Sequence, residues 1–407
     1  MIAEAEYVDR RGSNCNKWDN QKKMFGENDL LGLWVADMDF RAADCVRDAL
    51  RNYVDFGIYG YSAPSDGYYG AFIDWERTRH GYAVQRDWLR FSPGVVPAIN
   101  WFVQMMTQPG DGVAVLTPVY YPFLDAVKNN SRTLIPCELL NRDGVYSIDF
   151  DAFEETVVER NARAFILCSP HNPVGRVWKR EELRRLLDIC RAHGIFVISD
   201  EIHQDLVFGE NRHIPSATVG DYDRMLVTLT APSKTFNLAG CQNSLVIIPD
   251  PELREKYDRF TQQIRIFTGN PMGYIAAEAA YRGGQDWLDA VKTVILGNFR
   301  YARRRLGEEL PLVRVSELEG TYLMWADFAA YLKPEEMQGF FQKKCRLALD
   351  FGAWFGGDAG SCVRFNLATS RENVAEALER IVNGLRSGGE SSVSEGQTSG
   401  KTGCGQM

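Results

Sequence analysis

Several features are missing from this 407-residue sequence, and each absence excludes something. It has no apolar run of the roughly 18 residues that a membrane-crossing helix needs. It has no excess of positive charge: Lys and Arg number 46 against 54 Asp and Glu, a formal net charge of −8. That balance argues against a nucleic-acid surface, which needs a concentrated basic face, and favours solubility. The nine cysteines, at 15, 45, 137, 168, 190, 241, 345, 362 and 404, include no CxxC pair. An odd number at irregular spacing in a long chain is not a disulfide framework. The five histidines form neither an HExxH motif nor a Cys/His cluster, so no metal site is expected. The start, "MIAEAEYVDRRG", lacks a signal-type apolar segment, and a cytoplasmic location is expected. No internal repeat is present.

What is present is a globular composition, 45% hydrophobic and 25% charged, in a chain long enough for two domains. The middle alternates apolar runs with amphipathic stretches. "GVAVLTP" (112–118), "RAFILCSP" (163–170), "GIFVISDE" (194–201), "MLVTLTAP" (225–232) and "NSLVIIPD" (243–250) are aliphatic throughout and end in Pro, Asp or Ser signals. Runs without polar alternation predict strands buried on both faces, as in a parallel sheet. Between two of them, Leu183, Leu186, Leu187 and Cys190 line one face of a helix that Gly194 ends. "NWFVQMMTQPGDG" predicts a helix entered through the turn "SPGVVP", with Pro97 in its first turn. The expected fold is α/β: a mostly parallel sheet flanked by helices over 46–285. A smaller α+β domain, 286–386, is expected to be joined by the N-terminal arm, 1–45. From 387 to 407 the composition is Gly, Ser, Thr, Glu and Gln, which predicts a disordered tail.

Three apolar runs finish in polar residues: Asn172 in "SPHNPVG", Asp200 and His203 in "SDEIHQD", Ser233 and Lys234 in "APSK". In an open parallel sheet the carboxyl ends of the strands are where ligands bind. A carboxylate at the lip of a buried strand is costly without a partner. An amine in the same position is partly desolvated, which lowers its pKa and makes it a nucleophile for a carbonyl. Taken singly, Asp200 and Lys234 are equally explained by pairing with each other or capping turns. Taken jointly, a lysine that condenses with an aldehyde and an acid that keeps a pyridine nitrogen protonated are what pyridoxal phosphate requires. The "SPGVVP" turn offers the amides of Val95 and Val96 to a phosphate.

These residues resemble those of fold-type I pyridoxal-phosphate enzymes of the class I/II aminotransferase superfamily, and more narrowly the bacterial cystathionine β-lyase branch. The similarity runs through "KWD" (17–19), "WVADMDF" (34–40), "YGY" (59–61), "GVVPAI" (94–99), "TPVYYPF" (117–123), "SPHNPVGRVW" (169–178), "SDEIHQDLVF" (199–208), "PSKTFNLAG" (232–240), "EGTYLMWADF" (319–328), "FGAWFG" (351–356) and "VRFNLA" (363–368). The resemblance implies that Lys234 bonds the cofactor's aldehyde carbon, Asp200 pairs with the ring nitrogen, and Asn172 binds the 3′-oxygen. His203 stands where many relatives place a tyrosine on that oxygen. Tyr121 would stack on the ring, and Val95, Val96 and Ser233 would hold the phosphate. Tyr61, with Tyr59 as rival, would reach the cofactor of a second subunit, so a homodimer is implied. Arg364 would clamp a substrate carboxylate, and main chain at Ala36 and Asp37 would line the substrate side. Two departures stand out: Gln242 lies near the place where many relatives have a phosphate-binding arginine, and Ala231 where several have a serine.

The implied reaction is β-elimination of an L-cysteine S-conjugate to pyruvate, ammonia and a thiol. The alternatives are transamination of an L-amino acid by the same residues, or a regulatory or binding role. Neither nucleic acid nor membrane is expected as a partner. The other conspicuous residues read as structure: Met105 and Met106 as core, "RYARRR" (300–305) as a solvated helix face, Cys241 as packing. Trp354 and Phe355 line the substrate entrance or pack between domains.

Overall fold

The structure, a computed structural model, describes residues 5–391. Its centre is a seven-stranded sheet in the spatial order Leu89–Ser92, Ser244–Ile247, Leu226–Thr230, Phe196–Asp200, Ala162–Cys168, Gly112–Thr117, Thr133–Glu138. The five strands from Leu226–Thr230 to Thr133–Glu138 are parallel, whereas Ser244–Ile247 runs against both its neighbours. All five apolar runs are strands of this sheet. Their alternate residues feed two cores: Phe165, Leu167 and Val197 pack on one face, Val115, Ile166, Ile198 and Leu229 on the other. Each strand is thus apolar throughout because each face is covered.

Helices cover both faces. Arg180–Ala192 buries Leu183, Leu186, Leu187 and Cys190 against one, and Val95–Met106, with Pro97 in its first turn, packs on the other. A four-stranded antiparallel sheet follows, ordered Arg314–Val315, Leu323–Asp327, Cys362–Asn366, Asp350–Phe351. It shares a third core with helices Gln285–Glu309 and Arg371–Ser391 and with Leu30, Leu31 and Leu33. Leu31–Gly32 also pairs in parallel with Leu347–Ala348, fastening the N-terminal segment to the C-terminal part. The last helix reaches Ser391; the remainder of the tail expected to be disordered lies outside the described residues. No helix among the described residues is long and apolar enough to cross a membrane.

Candidate active site

The parallel register brings three chain segments out at one sheet edge. Cys168 is opposite Asp200, and Asp200 opposite Leu229. The turns after these strands carry Asn172, Asp200–His203 and Ser233–Lys234. Pro232 opens a single helical turn, Pro232–Thr235, that projects Lys234 past the end of its strand. Asn172, Asp200, His203, Ser233 and Lys234 line one cavity of about 180 Å³. A larger open groove of about 940 Å³ lies at the opposite strand ends, between Arg163, Arg191, Asp221 and Asp250. It holds no lysine beside an acid, so chemistry rather than size places the site.

Lys234 and Asp200 do not pair directly. The Lys234 Nζ donates to the Ala36 carbonyl at 2.6 Å, an oxygen that also accepts the Tyr322 hydroxyl at 2.7 Å. What exposure Lys234 keeps is to the cavity, and burial away from bulk water pulls its pKa down to about 8 against the opposing pull of Asp37. Asp200 closes its strand with its Oδ1 accepting the Ile202 N–H at 3.0 Å. Burial pushes its carboxyl up to about 7, resisted by that N–H and by the charge of Lys234. His203 is buried with no partner on Nδ1 among the described residues, and burial, with Lys234 and Arg364 adding to it, holds it neutral.

Arg364 is fully buried on Cys362–Asn366, an inner strand of the smaller sheet. It donates to the Asn172 Oδ1 at 2.9 Å and to the Trp34 carbonyl at 3.2 Å, and it pairs with Asp350. Burial drives Asp350 up to about 6, and the guanidinium keeps it ionised at neutral pH. At the other end of the cavity, helix Val95–Met106 begins after Gly94 with no side-chain cap, so first-turn amides of Val95 and Val96 are available to an anion.

Two of the expected site residues, Tyr121 and Asp37, are not in the cavity lining. Tyr120, not Tyr121, lines the cavity. Helix Tyr121–Asn129 starts one residue later, and its first turn directs Tyr121 away, edge-on to Trp354 and Phe355 at 6.0 and 5.7 Å. Likewise Ala36 reaches the cavity and Asp37 does not. The Asp37 carbonyl is taken by Asn366 at 2.6 Å, and its carboxylate pairs with Arg10 at 2.8 Å, so it acts on Lys234 through charge. Tyr61 is fully exposed, and Tyr59 is exposed with its hydroxyl on the Val54 carbonyl; neither lines this chain's own cavity. Sequence reasoning missed Tyr120, Asp350 and Tyr322. Asp350, a lone acid in the apolar run "LALDF", carried the signal already used for Asp200: a buried carboxylate demands a partner.

A lysine, an acid, an amide and a guanidinium gathered at the carboxyl edge of a parallel sheet, beside an open helix N-terminus, define a family, and residues 29–381 match it: the chain belongs to the aminotransferases of class I and II. Cystathionine beta-lyase PatB of Bacillus subtilis (strain 168) is 41% identical over 375 residues, 92% of this chain and 97% of its own. Among solved structures, cystalysin from Treponema denticola, which contains a pyridoxal 5′-phosphate cofactor, superposes with a TM-score of 0.91 at 36% identity, covering 95% of this chain and 100% of that one. The PLP-bound C-S lyase from Staphylococcus hominis gives 0.89 at 34% identity, over 94% and 97%.

Proposed function

We propose that this protein is a pyridoxal-phosphate-dependent carbon–sulfur lyase. It splits L-cysteine S-conjugates such as cystathionine, with one water, into pyruvate, ammonia and a thiol. The observation that carries this reading is the separation of Lys234 from Asp200: two buried groups of opposite charge share a cavity without pairing, leaving space between amine and acid. The donors present fit the cofactor. A desolvated amine, an under-partnered acid, an uncapped helix N-terminus and the orphaned His203 Nδ1 all meet there. When bound, pyridoxal phosphate supplies an aldehyde that condenses with amines and a ring that stores the electron pair left on Cα.

The chain's residues supply the rest. Asp200 holds a proton on the ring nitrogen. Asn172, its Oδ1 occupied by Arg364, has Nδ2 left for the 3′-oxygen, where neutral His203 adds a second donor. Tyr120 flanks the ring. The amides of Val95 and Val96 and the Ser233 hydroxyl hold the phosphate. Arg364, steered by Asp350 and Asn172, binds the substrate α-carboxylate through its planar guanidinium. Lys234, its pKa drawn down to about 8, takes the Cα proton as general base, and sulfur departs from Cβ as a thiolate. Ala36 holds the Nζ in place by its carbonyl. The working unit is a homodimer in the cytoplasm. The exposed apolar stretch Phe56, Ile58, Tyr59 and Tyr61 forms part of the contact, and Tyr61 reaches the second subunit's phosphate.

Cystathionine, cystine and a bulky cysteine S-conjugate, each given without a keto acid, test the reading. Pyruvate and free thiol are the expected products. Turnover that requires a keto acid assigns transamination instead, and loss of the lyase reading with it.

A further inference from the structure

One buried donor at the helix end of the cavity has no partner among the described residues. Asn243 is only 3% exposed and lines the cavity together with Val95, Val96 and Ser233. Its Oδ1 accepts the Tyr68 hydroxyl at 2.9 Å, while its Nδ2 has no hydrogen-bond partner among the described residues. A buried amide N–H₂ left unpaired is costly, and native proteins rarely tolerate one unless something else satisfies it.

The fold places this amide between the two segments already aimed at the phosphate. Ser244, the next residue, pairs with Ser92, which leads through Pro93 and Gly94 into the helix N-terminus. On its other side the same strand pairs Leu245 with Thr230, which leads into the Ser233–Lys234 turn. Tyr68 fixes the orientation. Its fully buried ring lies edge-on to Tyr69 and Tyr274 at 4.9 and 5.0 Å, so the phenol cannot swing away from Oδ1. With Oδ1 occupied, the amide presents hydrogens, not a lone pair, to whatever fills the cavity. With His203 held neutral, Lys234 is the one cationic side chain among the described residues lining it, so an anion at the helix end relies on neutral donors.

We infer that Asn243, oriented by Tyr68, is a phosphate-binding residue of the cofactor site. It supplies a neutral hydrogen bond next to the amides of Val95 and Val96. The inference rests on the cofactor reading above and extends it to the polar residue that opens the apolar run "NSLVIIPD", which no sequence motif singled out.

Pyridoxal, which lacks the phosphate, is the probe that isolates this contact. Cofactor-free wild type and the variants Asn243→Ala, Asn243→Asp and Tyr68→Phe are titrated with pyridoxal phosphate and, separately, with pyridoxal, following absorbance and tryptophan fluorescence. Asn243→Ala is expected to weaken pyridoxal phosphate about tenfold, the scale of a hydrogen bond to a charged group, and to leave pyridoxal within twofold. Asn243→Asp, which sets a carboxylate against the phosphate, should lose more of the phosphate form and no more of pyridoxal. Tyr68→Phe, which frees the amide to turn, should lose about threefold, again for the phosphate form alone. An unchanged ratio of the two affinities in Asn243→Ala overturns this inference alone, whether both ligands weaken together or neither does. Failure of the wild type to bind either ligand overturns the cofactor reading along with it.

Discussion

Asp200 and Asp205 stand at the two ends of one short turn, both almost wholly buried, and the protein treats them in opposite ways. Burial drives Asp200 up to about 7, with the Ile202 N–H and the charge of Lys234 pulling back. Burial pushes Asp205 the same way, but His80 at 3.0 Å, Arg79 at 2.8 Å and Thr235 at 2.8 Å overwhelm it and bring it down to about 2, and Trp75 donates to it as well at 3.0 Å. Asp205 is therefore complete within the chain. Through Thr235 it ties the turn bearing Lys234 to the helix bearing Trp75. Asp200 is left short of partners, as suits a group whose counterpart arrives with a ligand. Burial alone does not make a carboxylate structural; the number and charge of its donors do.

The largest expected effect separates the pair by variant. Asp205→Asn leaves Arg79 and a raised-pKa His80 facing a neutral amide, and should destabilise the fold by about 3–5 kcal/mol in urea unfolding. Asp200→Asn should keep or raise the stability of the cofactor-free protein while cutting pyruvate release by about 100-fold. The reverse pattern breaks the comparison.

Acidity separates them again. The folded pKa of Asp205 lies below the unfolded carboxylate value of about 3.9. Its stabilisation is therefore complete above that value and is lost as pH falls through about 2. The folded pKa of Asp200 lies above the unfolded value, so its contribution is complete at low pH and is lost as pH rises through about 7. In melts of the cofactor-free protein, Asp205→Asn should flatten the acid limb, and Asp200→Asn the decline towards neutrality.

Tyr120 and Tyr121 make a smaller contrast. Tyr120→Ala should weaken pyridoxal phosphate about fivefold, the scale of one aromatic contact, with little change in stability. Tyr121→Ala should spare cofactor affinity and lower the melting temperature, because its ring packs on Trp354 and Phe355. The smallest effect belongs to an exposed carboxylate. Asp151 pairs with Arg185 at 2.5 Å on the open surface, and Arg185→Ala should shift the midpoint by no more than about 1 °C. A large shift there would mean that pairing, not burial, sets the stakes.

Much of this was legible in the sequence. The five central strands announced themselves because both faces are covered and every residue could be apolar. Two strands did not. Thr133–Glu138 is an edge strand, half exposed and interrupted by Pro136, so it shows no apolar run. Leu89–Ser92 is four residues at the other edge, too short to show an apolar run. In the site, Lys234, Asp200 and Asn172 stood out as polar residues closing apolar runs. The choice between Tyr120 and Tyr121 hangs on which residue begins a helix, and a helix turns successive side chains by about 100°. Asp350 with Arg364, and Tyr68 with Asn243, are partnerships made by the tertiary fold, invisible to any local pattern.

The central claim is that the Lys234 amine and the Asp200 carboxylate hold a cofactor between them. Loading the protein with pyridoxal phosphate, reducing it with borohydride and mapping the modified peptide tests this most directly. One stoichiometric modification, on Lys234, is the result expected. Stoichiometric modification of any other lysine, or an unmodified Lys234 in protein that retains the cofactor, contradicts it.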